Sequence, residues 1–345
     1  MAVVAFAFTS GAVVWSGLVP TLPWGMVFLI GLVGFPFALC LTHLTRLERA
    51  RGEGSRIGWP ACLAISAAIL LGWHYYIVWP LIALALGALS PTRARVEHRT
   101  IASLAAVVLT CGYGVVWNLN YLLERHMPDL RWDPLLRELD LRVYRWWLGP
   151  DVSLAGLFPL VSHPVGLRML DNAYAILVAE VILVAYLLSQ ESPADVLGFL
   201  RRLFGFYLAG IAIFVCFPVN GPHLYFPEQQ DLSRSLPATV AFAHGMMHDF
   251  KVAKVGGQLR GYGYFIAVPS LHVLVAIYLQ HVLRSYGVLF RVFLPVNVLL
   301  CASTVLLGYH YLADVVAAIA VYAVALAWLG APSTASSAAR QPTPA

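Results

Sequence analysis

Apolar residues fall in long continuous blocks along this chain, near 2–20, 24–45, 57–90, 101–123, 170–189, 197–217, 266–284, 288–307 and 310–330. A block of about 20 residues, wound as a helix, matches the hydrocarbon thickness of a bilayer. The strands of a membrane barrel would alternate apolar and polar positions, and these blocks do not. The pattern predicts an all-α polytopic membrane protein. The block 57–90 is too long for one span, and "GWHYYIVWP" in its middle holds the interface-seeking residues Trp, Tyr and His. It reads as two short spans with that cluster at the turn.

Composition agrees with the pattern. Apolar residues make up 60% of the chain and charged ones 11%, and the mean hydropathy is +0.76, which excludes an ordinary soluble domain. A pI near 9.0 invites thoughts of nucleic acid, but the cations are scattered over short loops and act as a topology signal, so no nucleic-acid partner is expected. Arg46, Arg49, Arg51 and Arg56 crowd one loop, and Arg93, Arg95 and Arg99 the next. Placing both inside, together with Arg201, Arg202, Arg284 and Arg291, predicts about ten spans with cytoplasmic termini. The loops 124–169 and 218–265 and the turn near 308–310 then share the non-cytoplasmic face.

The first residues lack a basic start and a cleavage site and read as a retained span. The tail 331–345, rich in Ala, Ser, Thr and Pro, reads as disordered. No internal repeat is visible. The cysteines (Cys40, Cys62, Cys111, Cys216, Cys301) lie in or beside apolar blocks without a C-x-x-C pair, which predicts buried thiols rather than a disulfide framework or a zinc site.

Candidate chemistry collects on that one face. In "GYHYLADVV" His310 and Asp314 stand four residues apart, about 5–6 Å at Cβ on a helix. The carboxylate would fix the imidazole tautomer and leave the other nitrogen nucleophilic; the bland alternative is an interfacial His and an Asp paired elsewhere. In "VPSLHVL" Pro269 and Ser270 are suited to starting a helix, with His272 in its first turn, where free N–H groups would seat a phosphate. An interfacial histidine is the plainer reading of His272 alone. The chain's two lysines, Lys251 and Lys254, precede it, followed by Arg260. They would bind an anionic headgroup or be solvated loop charges.

P-S-L-H at 269–272, followed by H-x-x-x-D at 310–314, resembles the type 2 phosphatidic acid phosphatase superfamily over roughly residues 100–330. The resemblance implies a six-helix phosphatase-type core at 100–330; the ten-span count then leaves about four additional N-terminal spans in an extension over 1–99, which has no counterpart in that family. Cations and helix-end N–H groups would hold the phosphoryl oxygens, so no cofactor or metal is expected. The phosphatases usually have P-S-G-H and a phosphate-gripping arginine after a serine; here Leu271 replaces the glycine and Thr304 follows Ser303. The phosphatases' K-x-x-x-x-x-x-R-P is absent too, since Lys254 and Arg260 have the wrong spacing. P-S-L-H with S-T-x-x-x-x-x-H-x-x-x-D is similar to the inositol phosphorylceramide synthase branch, as is "CFPVNGPHLYF" at 216–226. By that resemblance His310 attacks phosphorus, Asp314 orients it, and His272 serves as acid and then base. The implied partners are a phospholipid donor and a lipid or glycan alcohol acceptor.

Further polar residues admit two readings each. Ser270, His223, Tyr225 and Asp171, with Lys254 and Arg260, are the candidate substrate-binding set. His223 and Tyr225 in "NGPHLYFPE" cap a chamber or form a turn. Asn118, Asn120, Glu124, Asp171, Asn172 and Tyr174 would meet a polyol headgroup or join helices. His244, His248 and Asp249 lack a third ligand pattern for a metal and read as a headgroup-facing loop. Glu180, mid-span, would be neutral or paired inside the bundle. The stretch 131–149 reads as an amphipathic interfacial helix. The competing functions are a lipid phosphate or polyprenyl diphosphate phosphatase, with water as acceptor, and a non-catalytic lipid binder or transporter. The sequence leaves the oligomeric state open.

Overall fold

The computed structural model describes residues 58–72, 96–127, 131–149, 163–225, 237–255 and 265–329. Among these every regular element is a helix and none is a strand. In chain order they are α1 (Trp59–Gly72), α2 (Val96–His126), α3 (Asp133–Leu148), α4 (Pro164–Ala175), α5 (Leu177–Ser189), α6 (Pro193–Cys216), the single turn α7 (Pro222–Tyr225), α8 (Pro237–Val255), α9 (Leu271–Val282), α10 (Gly287–Leu306) and α11 (Leu312–Leu329). Two of them, α6 and α10, are long and apolar enough to cross a bilayer, and α4 with α5, bent by 43°, make a third if the pair is one span. This fits an integral membrane protein. The blocks 2–20 and 24–45, the second half of 57–90 and the tail 331–345 lie outside the described residues, so the expected N-terminal spans do too.

Local chemistry sets the helix ends. Pro193 opens α6 behind the cap Ser192, whose Oγ accepts from Asp195 N at 3.1 Å, satisfying a donor the helix itself cannot. Ser270 caps α9 in the same way, accepting from Val273 N. Two expected boundaries move. Residues 266–270, expected within a span, are non-helical, and Ala267 N donates across to Val219 O at 2.8 Å. The last helix starts at Leu312 rather than at 310, so His310 stands outside it.

α9 is the hub of the bundle, packing against α5, α6, α10 and α11, while α10 also meets α1 and α4. Leu183, Leu274, Leu279, Val292, Phe293, Val296 and Leu300 fill the interior. Inside a bilayer lipid tails are as apolar as these side chains, so close packing and polar joints carry the association. Gly112 of α2 is such a contact: a Cβ there would overlap the Phe204 ring of α6. Glu180 of α5 is a joint, its Oε1 accepting from Asn297 Nδ2 of α10 at 2.9 Å, and the same Nδ2 donates to Gln280 Oε1 of α9 at 3.0 Å.

At one end Tyr286 OH donates to Glu191 Oε1 at 3.0 Å, tying the α9–α10 turn to the α5–α6 turn. The segments 218–225, 265–270 and 308–311 gather elsewhere, joined by bonds such as His223 N to Gly308 O at 3.1 Å. All four described cysteines are free; Cys62 is buried, Cys111 and Cys301 are half-buried, and Cys216 is exposed, short of the burial expected for every thiol.

Candidate active site

His310 sits in the turn between α10 and α11. Thr304 O receives both Tyr309 N at 3.1 Å and His310 N at 2.9 Å, which folds the chain back on the end of α10. Asp314, in the first turn of α11, reaches back so that its Oδ2 accepts from Tyr311 N at 2.9 Å, as in a capping box. The same oxygen lies 3.2 Å from His310 Nδ1. The pair therefore meets through a helix cap, not along a helix face as the four-residue spacing had suggested. With Nδ1–H assigned to the carboxylate, Nε2 keeps its lone pair.

His272 stands in the first turn of α9 behind the buried cap Ser270, and Ser270 N donates to Asp314 O at 3.1 Å. The ring centroids of His272 and His310 are 6.1 Å apart. Tyr174 stacks on His272 at 4.1 Å and on Tyr309 at 4.5 Å, and His223 meets Tyr309 edge-on at 5.1 Å. An aromatic column thus runs from one histidine to another beside His310. Tyr174, read from sequence as a headgroup or helix-joining residue, is a ring support.

His223 lies in the ordered turn α7. Burial, reinforced by the charge of His310, pushes its imidazole down to about 3, so it is neutral at ordinary pH. Gly221 makes the turn possible: its φ is +94°, and a Cβ would come within 2.5 Å of Tyr309 O, a position only glycine takes without strain. Tyr225, at the end of α7, is exposed, and Asp171 is half-buried on α4.

Two carboxylates missed in the sequence support these turns. Asp133 Oδ1 accepts from Gly221 N at 2.9 Å and from Tyr311 OH at 3.2 Å, and Oδ2 from Asn220 N at 3.2 Å. Asp140 Oδ2 accepts from Leu312 N at 2.9 Å. Burial pushes each up to about 6; the bonds from Asn220, Gly221 and Tyr311 hold Asp133 down in part, and that from Leu312 does the same for Asp140. Their seven-residue spacing on an amphipathic stretch was the available signal, since it places both on one helix face.

The cations are arranged differently from the expectation of a bare phosphate clamp. Lys254 Nζ lies 3.3 Å from Glu124 Oε1 and donates to Met127 O at 3.2 Å. Arg131, also missed, pairs with the same buried carboxylate oxygen at 2.6 Å. Glu124 Oε2 accepts from Asn220 Nδ2 at 3.1 Å, which links this ion cluster to the 218–221 turn. Asn120 Oδ1 accepts from Phe265 N at 3.0 Å, so it joins elements. Arg260 lies outside the described residues. Thr304, at the place of the family's arginine, turns its hydroxyl onto Cys301 O at 2.8 Å. Asp249 accepts from Tyr121 OH at 3.1 Å, between α8 and α2.

Residues 144–328, more than half of the chain, match the family model of the PAP2 superfamily. The chain belongs to that superfamily, whose membership supports a lipid enzyme of phosphatase or phosphotransferase type. The match begins at Tyr144, inside α3, later than the resemblance near residue 100 had suggested. No curated protein and no solved structure matches the chain.

Proposed function

We propose that the chain is a membrane phosphotransferase of the inositol phosphorylceramide synthase-like branch, moving phosphoinositol from phosphatidylinositol to a lipid or glycan alcohol. His310 Nε2 attacks phosphorus, and the bond from phosphorus to the diacylglycerol oxygen breaks as the N–P bond forms. His272 gives its proton to the departing alkoxide, then takes the proton of the acceptor hydroxyl. That oxygen attacks phosphorus, the N–P bond breaks, and His310 is restored. Asp314 orients the imidazole and stabilises its charge after attack.

The observation that carries this reading is the 3.2 Å contact between His310 Nδ1 and Asp314 Oδ2, with the His272 ring 6.1 Å away. Such a spacing leaves room for a phosphoryl group between two imidazoles. Ser270 and the free amides opening α9 suit the phosphoryl oxygens. Positive charge for the phosphate is assigned to Lys254, acting from its cluster with Glu124 and Arg131, and to Arg260, and His223, Tyr225 and Asp171 offer polar contacts to the headgroup. The site faces the non-cytoplasmic side, and the exposed Trp146 and Trp147 of α3 rest in the lipid interface beside it. Thr304 in place of an arginine favours transfer over hydrolysis.

The test uses the full chain in nanodiscs with headgroup-labelled phosphatidylinositol and a lipid extract, following the label by mass spectrometry. Label moving to a new lipid or glycan, and ceasing in His310→Ala and in His272→Ala, is the expected result. Release of inorganic phosphate from lipid phosphates would instead identify a phosphatase. Transfer persisting in His310→Ala would remove the covalent step.

A further inference from the structure

α3 packs against α7 and α11, the elements on either side of the His310 turn, and presents two very different faces. Leu135, Leu139, Val143, Trp146 and Trp147 point outward and are exposed, whereas Asp133 and Asp140 are buried. The two acids sit two turns apart, on one face. Neither bonds to a side chain that holds helix against helix. Their partners are the backbone amides of Asn220, Gly221, Leu312 and Ala313 and the hydroxyl of Tyr311.

Those partners bracket the nucleophile. Gly221 belongs to the turn whose His223 N is bonded to Gly308 O, two residues before His310. Tyr311 and Leu312 follow His310 directly. Leu312 N is the first amide of α11, an orphan donor that a capping side chain of the same segment would ordinarily take. Here a carboxylate from a helix 172 residues away takes it, and its negative charge suits the helix start.

We propose that Asp133 and Asp140 are positioning residues for the reaction, with α3 acting as a strap that holds the 218–221 and 308–312 turns and so aims the His310 ring. The strap acts on His310 through backbone, and neither acid touches the reacting atoms. Its kinetic consequence rests on the phosphohistidine reading; its geometry does not.

The experiment reads both separately. Wild type, Asp133→Asn, Asp140→Asn and Tyr311→Phe are prepared as full chains in nanodiscs. Amide hydrogen exchange is followed by mass spectrometry, with the carbethoxylation rate of His310 by diethyl pyrocarbonate, which needs no turnover. Asp133→Asn should speed exchange at Asn220 and Gly221, and Asp140→Asn at Leu312, each by about tenfold. His310, now less confined, should be modified about fivefold faster, while kcat for labelled phosphatidylinositol falls at unchanged KM. Tyr311→Phe removes one bond only and should give a smaller change in the same direction, which keeps the test open if an Asp variant does not fold. Wild-type exchange and wild-type His310 reactivity in these variants would overturn the strap. If wild type transfers no headgroup at all, the functional reading falls while the exchange data still decide the positioning.

Discussion

The joint at the bundle centre and the strap at its rim both rest on buried carboxylates, yet they do opposite work. Glu180 meets a side-chain amide, Asn297, which in turn meets Gln280; three helices are pinned and no loop is touched. Asp133 and Asp140 meet backbone amides of the 218–221 turn and of the start of α11; what they fix is the chain on either side of His310. Buried polar groups must be satisfied in either place. Which donors satisfy them decides whether their loss is felt in stability or in geometry.

Asp314→Asn should have the largest effect on rate. An amide Nδ2 beside His310 Nδ1 donates where the carboxylate accepted, so the ring keeps its proton on Nε2 and loses its nucleophilic lone pair. The loss in kcat should be on the order of 10³–10⁴, as for the wrong tautomer in other histidine sites. Asp314 Oδ2, the oxygen that faces His310, also accepts from Tyr311 N, so the amide nitrogen in its place removes that helix-cap bond too. Stability should fall by about 1 kcal/mol, far less than the loss in rate. A variant retaining a tenth of wild-type turnover would refute this role.

Glu180→Ala sharpens the contrast from the other side. It removes the acceptor of Asn297 and leaves a void among α5, α9 and α10, a loss of about 2–4 kcal/mol, read as a lower unfolding temperature in detergent. Activity per folded molecule should stay near wild type, because no loop of the site is held by this residue. Gly221→Ala should fall between the two. The strain of φ +94° and the clash with Tyr309 O cost about 1–3 kcal/mol, and the same shift disturbs the turn next to His310. A fall in kcat without any fall in stability would contradict that account.

The sequence was readable where chemistry is local. Proline and cap at Pro269–Ser270 announced α9, and apolar blocks announced α6 and α10. His272, His310 and Asp314 were legible as residue types at fixed spacings. What was hidden depends on partners far apart in the chain. Asp133 meets Tyr311 across 178 positions and Asp140 meets Leu312 across 172, and in sequence both look like solvated charges of an amphipathic helix. Lys254 looked free for a headgroup until Glu124, 130 positions earlier, was found beside it. Tyr174 read as a headgroup or helix-joining residue and Tyr309 drew no reading, because stacking leaves no trace in spacing.

The smallest expected effect is the response of the strap to pH. Asp133 faces the amides of Asn220 and Gly221, the Tyr311 hydroxyl and the charge of Asp314; Asp140 faces the amides of Leu312 and Ala313, Tyr144 and the same Asp314. Both are pushed up from 3.8 to about 6, so the folded chain holds their protons more tightly than the unfolded chain. The stability they contribute is therefore fully present below pH 3.8 and is lost as pH rises through about 6. Their hold on the turns runs the other way, because every near hydrogen-bonding neighbour is a donor and the ionised carboxylate is the better acceptor. Turnover should climb severalfold between about pH 5 and 7 while the unfolding temperature declines over the same interval. In the Asp133→Asn, Asp140→Asn double variant both trends near pH 6 should flatten. An acid limb unchanged in that variant would assign it to other groups and leave the strap indifferent to protons.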